Sequence, residues 1–240
     1  MTTTAATGRL VATHSILTLD ARHPLIAKSI LSAHEMHRTV MSGFYGWVAP
    51  GDPAGPRGEM GILSTWTLDL KNNTVLLVVQ SRVPPDWTAI PRAALIDKPT
   101  ILPVDATLRA GDTYGFRITY NPTRARVIDK NGTPSRRTAH TTPHHAKQWL
   151  TQRLQQPGQP SIGDRGTLRI GATTDPDHIA VRMLPALIGT GPKAGLRVTR
   201  AEAKGILTVT DPHRFAETLS TGLGHAKAYS CGLLLIRATP

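Results

Sequence analysis

The chain has 240 residues and carries 28 Lys and Arg against 16 Asp and Glu, a formal charge of +12 with a pI near 10.5. An apolar content of 40% is enough for real cores, so the chain reads as globular, and its excess charge attracts polyanions, nucleic acid first among them. A single cysteine, Cys231, excludes an intrachain disulfide and any Cys-based zinc site; no apolar run approaches bilayer length, so the expectation is a cytoplasmic protein with no membrane role.

In chain order, "MTTTAATGRL" lacks the apolar centre of a signal peptide, and "GRLVATHSILTLD" is a strand by its β-branched and aliphatic content. Pro24 suits the first turn of a helix, and "LIAKSILSAHEMHRTVMSGF" continues with helical periodicity. The Pro- and Gly-dense "WVAPGDPAGPRGEMG" reads as a surface loop. Strands "ILSTWTLDL" and "TVLLVVQS" follow, joined by "KNN", whose asparagines tolerate a tight hairpin. After a Pro-broken stretch, "DTYGFRITYNP" alternates as a strand stopped by Pro122. The order β-α-β-β-(α)-β is the ferredoxin-like module.

The second half repeats that outline. A short strand near "RRTAHTT" precedes the helix "PHHAKQWLTQRLQQPG", with Trp149, Leu150 and Leu154 on its apolar face. Strands "TLRIGAT", "HIAVRML" and "GLRVTRAEAKGILTVTD" come next; Asp211 caps "PHRFAETLSTGLG" with Pro212 at the first helical position, and "AYSCGLLLIRA" closes the chain. The fold expected is therefore α+β, two tandem ferredoxin-like (RRM-like) domains over residues 1–122 and 123–240, joined near 121–130.

Three constellations carry chemistry. On a helical wheel Ile26, Ile30, Ala33, Met36, Val40 and Phe44 share one face, with His37 about 40° from its centre and His34 roughly 60° further round. This leaves His37 as either a core-edge residue or a group bordering a cleft. The "HEMH" spacing lacks the i,i+4 pair of zinc-protease helices, and His140, His144 and His145 have no carboxylate or cysteine beside them, so no metal site is expected. The second constellation is "GLGHAKAYSCGLL": Gly222 and Gly224 admit close backbone approach to a phosphate beside Lys227, although a helix C-cap needs one of those glycines anyway. The third is basic, with Arg124, Arg126, Lys130, Arg136 and Arg137 in the linker and Arg182, Lys193, Arg197 and Arg200 around a Gly-rich hairpin. With only 5% aromatic residues a single-strand stacking platform is disfavoured, and a grip on phosphates of structured RNA fits better.

Taken together, "HEMHRTVMSGF", "LLVVQSRVPPDW", "FRITYNPTR", "KQWLTQRL" and "GILTVTDPHRFAETLSTGLGHAKAYSCGLLLI" resemble the CRISPR RNA-processing endoribonucleases of the Cascade surveillance complex, the CasE family. The resemblance implies metal-independent, hairpin-specific cleavage of CRISPR repeat RNA by 2′-hydroxyl attack, giving a 2′,3′-cyclic phosphate, with no cofactor. It further implies that the product crRNA stays bound and that other Cascade subunits are partners. It places His37 at the catalytic histidine and Gly222, Gly224, Gly232 and Lys227 in the glycine-rich loop. His34 stands where some relatives carry tyrosine, Ser42 near a lysine of some relatives, and Ser230 where glycine is frequent. His34, Arg38 or Lys227 could offset charge on the phosphorane. The other reading is a noncatalytic basic RNA-binding or scaffold protein in which His37 is core only.

Overall fold

A computed structural model describes residues 6–47, 57–127, 134–154, 169–189 and 195–239, with the backbone alone for 125–127 and 134–137. The first sheet is antiparallel in the order β2-β3-β1-β4, from β1 (Thr7–Asp20), β2 (Leu63–Asp69), β3 (Thr74–Ser81) and β4 (Thr100–Arg109). Between β1 and β2 run α1 (Pro24–Leu31) and α2 (Ala33–Met41). That strand order is the ferredoxin-like one, with a short 3-10 turn at Arg92–Ala94 between β3 and β4. Alternation builds the core: Val75, Leu77 and Val79 of β3 are buried while Leu76 faces out, and they pack with Leu17 and Leu19 against Ile26, Met36, Val40 and Phe44.

Where the sequence reads one helix from Pro24 onward, the structure breaks it at Ser32, whose φ of −128° and ψ of 122° are extended. The break folds α2 back against α1, and the Ser29 hydroxyl, which donates to the Leu25 carbonyl, also lies 2.8 Å from Thr39 Oγ1 in the buried seam. The apolar positions survive the break because each helix separately turns its own stripe to the sheet. The β2–β3 connection is the tight turn expected from "KNN", with Asn73 at φ 53°.

The second sheet runs β11-β5-β10-β8, with β9 also on β10, from β5 (Thr113–Tyr120), β8 (Ala172–Thr173), β9 (Ile179–Ile188), β10 (Arg197–Val209) and β11 (Leu234–Ala238). Helices α3 (Pro143–Thr151) and α4 (Pro212–Thr221) complete it, α4 capped as expected by Asp211 Oδ1 accepting from Arg214 N at 3.0 Å. These are two tandem ferredoxin-like domains. The strand read as the close of the first module, "DTYGFRITY", is β5 and opens the second sheet; the first sheet is closed instead by β4. The sequence missed β4 because Pro103 lies inside it. An edge strand tolerates proline where the missing N–H would face outward, and β4 is the edge, buried on one face only at Leu108. The change of sheet therefore falls at the Gly111 turn, ahead of residue 122. The expected linker is itself structured: β6 (Thr123–Val127) and β7 (Pro134–Ala139) pair as a separate antiparallel hairpin.

The domains interpenetrate. Leu10 and Ala12 of β1 and Leu108 of β4 belong to the same core as Phe116, Trp149, Phe215 and Leu219 of the second domain. Gly8 runs so close under α4 that a Cβ there would stand 2.0 Å from the Pro212 carbonyl oxygen.

Candidate active site

His37 projects from the edge of α2, between the buried Met36 and Val40 and the exposed Arg38, and α2 packs against the short turn Lys227–Tyr229 of the second domain. The chain reaches that position through the glycine-rich loop. Gly222, at φ 75°, ends α4; Leu223 N donates to Gly232 O at 2.9 Å, and Gly232 N donates to Thr119 O of β5 at 2.7 Å, so the loop closes on itself and is fixed to the second sheet. Ser230, in the left-handed region at φ 56°, holds its hydroxyl 2.9 Å from Ser64 Oγ of β2. Thr65 Oγ1 to Thr119 Oγ1, Gln80 Nε2 to Leu219 O and Arg82 to Ser220 Oγ add further hydrogen bonds across the same seam.

The electrostatics at the seam are one-sided. Burial holds the His37 imidazole below its ordinary value, nearby Arg57 and His34 lower it further, and a hydrogen bond with the Ala228 backbone opposes them. Burial depresses Lys227 too, again with Arg57 adding to the effect. Burial alone brings the Arg57 guanidinium down to about 10. Lys227 Nζ donates to the Thr221 carbonyl at 2.8 Å, at the negative end of α4. A neutral imidazole thus sits among cations, an arrangement that favours an anion and leaves the ring ready to accept a proton.

Two cavities meet at Thr221 and Lys227. One, of about 250 Å³, is lined by Arg57, Arg82, Ser220 and Lys227 among others; the next, of about 350 Å³, is lined by Arg153, Arg169, Arg214, Gly224 and His225, with Glu217 as a carboxylate on its wall. Together they form a basic track beside the glycine-rich loop. Arg153 lies flat over Trp149, 3.4 Å from its ring centroid, and a Cβ on Gly224 would meet the same indole at 2.9 Å. The glycines are therefore required by packing and by positive φ, and the amides of Leu223 and Gly232 are already occupied, the first by the Gly232 carbonyl and the second by Thr119 O of β5.

The sequence candidates separate into groups. His37 lies near His34 on α2 and hydrogen-bonds the Ala228 backbone next to Lys227, and Lys227 lines the larger of the two cavities with Gly222 and Gly224. Arg38 is exposed and reaches Glu35 at 3.6 Å. Arg124 is exposed on β6, and Arg126, Arg136 and Arg137 lie along the β6–β7 hairpin. Arg182 is committed to the buried Glu202 at 2.9 Å, as is Arg117, and Arg197 is exposed on β10. Burial pushes Glu202 up, but the hydrogen bonds from Arg182 and Arg117 bring it below its ordinary value. Lys193 and Lys130 lie outside the described residues. Cys231 is buried, with its thiol pushed up to about 12, and is no nucleophile. The rings of His140, His144 and His145 do approach one another, at 5.7 and 5.5 Å between centroids, but among the described residues no group of three or more metal-ligating side chains is assembled.

Sequence reasoning missed Arg57, which stands in the Pro- and Gly-rich loop, and Arg153, Arg169 and Arg214, which come from three separate segments. No motif links them.

The family described as CRISPR associated protein matches residues 14–238. The chain belongs to that family. Among CRISPR-associated relatives, it is 28% identical over 227 residues to the CRISPR-associated endoribonuclease Cse3 of Thermus thermophilus, covering 92% of this chain and 97% of the relative. The solved structure of Thermus thermophilus Cse3 bound to an RNA representing a pre-cleavage complex is similar with a TM-score of 0.67 and 22% identity, over 95% of this chain and 100% of that one. A chain of a CRISPR RNA-guided surveillance complex is similar with a TM-score of 0.57 and 18% identity, over 95% and 100%. The match spans His37 and the glycine-rich loop alike, so this CRISPR-associated chain carries both halves of its candidate site within the family's bounds.

Proposed function

We propose that the chain is an endoribonuclease that cuts CRISPR repeat RNA at its hairpin, without metal, and stays on the mature crRNA as a Cascade subunit. One observation carries this reading: a partly buried His37 hydrogen-bonds the Ala228 backbone at the domain seam, next to Lys227, which lines both arginine-rich cavities. The names of the relatives, an endoribonuclease and a chain of an RNA-guided complex, support it.

In this mechanism neutral His37 accepts the proton of the 2′-hydroxyl. The 2′ oxygen forms its bond to phosphorus as the bond to the 5′ oxygen breaks, giving a 2′,3′-cyclic phosphate. His34, one helical turn away, protonates the departing oxygen, which leaves as a 5′-hydroxyl. The surrounding cations offset the charge that gathers on the phosphorane. The Arg153–Arg169–Arg214 track and the β6–β7 arginines hold backbone phosphates of the stem, contacts that position RNA.

The test is incubation of labelled repeat hairpins with excess protein in EDTA. Cleavage at one bond, leaving a product end that resists phosphatase until acid opens the cyclic ester, is expected. RNA that is shifted in a gel but intact would make the protein a binder, and cleavage that EDTA abolishes would remove the metal-independent step.

A further inference from the structure

Charge balance around the 250 Å³ cavity separates its cations from one another. Its walls include Arg57, Arg82 and Lys227 and, among the described residues, no carboxylate; Glu59, two residues beyond Arg57, is exposed and does not line it. Lys227 already spends a donor on the end of α4, and Arg82 spends one on Ser220 Oγ. Arg38, the cation nearest His37 in sequence, points at Glu35. Arg57 is different: it is largely withdrawn from solvent, forms no ion pair with any described residue, and its charge is felt by both His37 and Lys227. Burying a guanidinium without a partner is costly, and proteins keep such an arrangement where an anion completes it. The anion must reach the cavity from solvent, and Lys227 of its wall adjoins Ala228, whose backbone hydrogen-bonds His37. A planar fork of N–H donors matches the paired non-bridging oxygens of a phosphodiester.

We propose that Arg57 contacts the phosphate being cleaved and stabilises the charge that develops on its non-bridging oxygens, a catalytic role that rests on the RNA-cleaving reading above. Arg57 takes no proton and forms no covalent bond; it supplies fixed donors where charge grows. Its separation from His37 in sequence lets α2 bring the proton acceptor and the loop before β2 bring the charge, each from a different element.

The experiment is single-turnover cleavage in EDTA by wild type, Arg57→Ala, Arg57→Lys and His37→Ala, using a labelled repeat hairpin that the wild-type chain cuts, with affinity and melting temperature measured on the same preparations. Arg57→Ala should cleave about 10²–10³-fold more slowly, the usual loss for one donor to a developing oxyanion, with affinity held within a few-fold. Arg57→Lys, which keeps the charge and most of the bulk, should retain part of the rate, and millimolar guanidinium ion should restore part of the activity of Arg57→Ala. A merely structural arginine would not respond to guanidinium in that way. Wild-type rate in Arg57→Ala with His37→Ala inactive would overturn this assignment and leave the nuclease reading intact. Loss of rate, affinity and melting temperature together, without rescue, would also overturn it. Failure of the wild-type chain to cut any repeat hairpin would overturn both readings.

Discussion

Lys227 Nζ donates a 2.8 Å hydrogen bond to the carbonyl of Thr221, so the lysine of the glycine-rich loop is also the cation at the C-terminal end of α4. The two roles separate on mutation. Lys227→Ala should cost about 0.3–1 kcal/mol from the helix terminus, seen as a small drop in melting temperature, and should also weaken RNA binding. A variant with unchanged affinity would confine Lys227 to the helix end.

His37→Ala should lower the single-turnover rate by about 10²–10⁴-fold while hairpin affinity stays within a few-fold. The ring is half-buried and hydrogen-bonded with the Ala228 backbone, so truncation should lower the melting temperature only modestly, far less than it lowers the rate. Equal losses of rate, affinity and melting temperature would instead identify a packing residue.

The direction of the His37 shift fixes a pH dependence. With the folded value held below the unfolded 6.5, the unfolded chain takes up the proton first as pH falls; this residue's contribution is therefore neutral above that pH and becomes destabilising below it. If the neutral ring is the base, the acid limb of kcat/KM should lie below 6.5, and Arg57→Lys should leave it there because the charge remains. An acid limb above 6.5 would contradict the lowered value of His37, and loss of rate only on the alkaline side would mean that the active ring is protonated.

Gly232→Ala should be severely destabilising. The residue sits at φ 94°, and a Cβ would lie 2.6 Å from the Leu223 carbonyl oxygen, a backbone atom that cannot step aside without opening the loop. A loss of at least about 1–3 kcal/mol in urea unfolding is expected from the conformation alone. A change under half a kilocalorie would show that the loop relaxes freely.

Replacing Arg136 and Arg137 of β7 together with alanine should weaken RNA binding and flatten its dependence on salt, each lost phosphate contact removing about 0.9 from the log–log slope. Identical salt titrations for wild type and variant would remove both from the interface.

Local patterns carried most of the fold to the surface of the sequence. Val75, Leu77 and Val79 announce a strand by alternation, Asp211–Pro212 announces a helix start, and Asn73 a turn. What stayed hidden depends on contacts distant in sequence. Pro103 disguises β4 because its edge position is a property of the sheet. "DTYGFRITY" is an ordinary strand by pattern, and only its partners, β10 and β11, assign it to the second domain. The break at Ser32 is favoured by the pairing of Ser29 with Thr39, which no wheel displays. At the site, His37 and the glycine-rich loop were legible through resemblance, whereas Arg57 was not, since a lone arginine among prolines and glycines acquires meaning only when α2 is placed beside it.

Gly8 and Pro212 meet across 204 positions of chain, so tight beneath α4 that no side chain fits between them. Because Leu10, Ala12 and Leu108 complete a core whose other buried members all lie beyond the Gly111 turn, neither side of that turn can finish burying its apolar surface by itself. The chain should consequently melt in a single calorimetric transition, and a gene cut at the Gly111 turn should yield two fragments that acquire structure only when mixed. Such long-range closure makes folding slow, because the loop entropy is lost before the shared core rewards it.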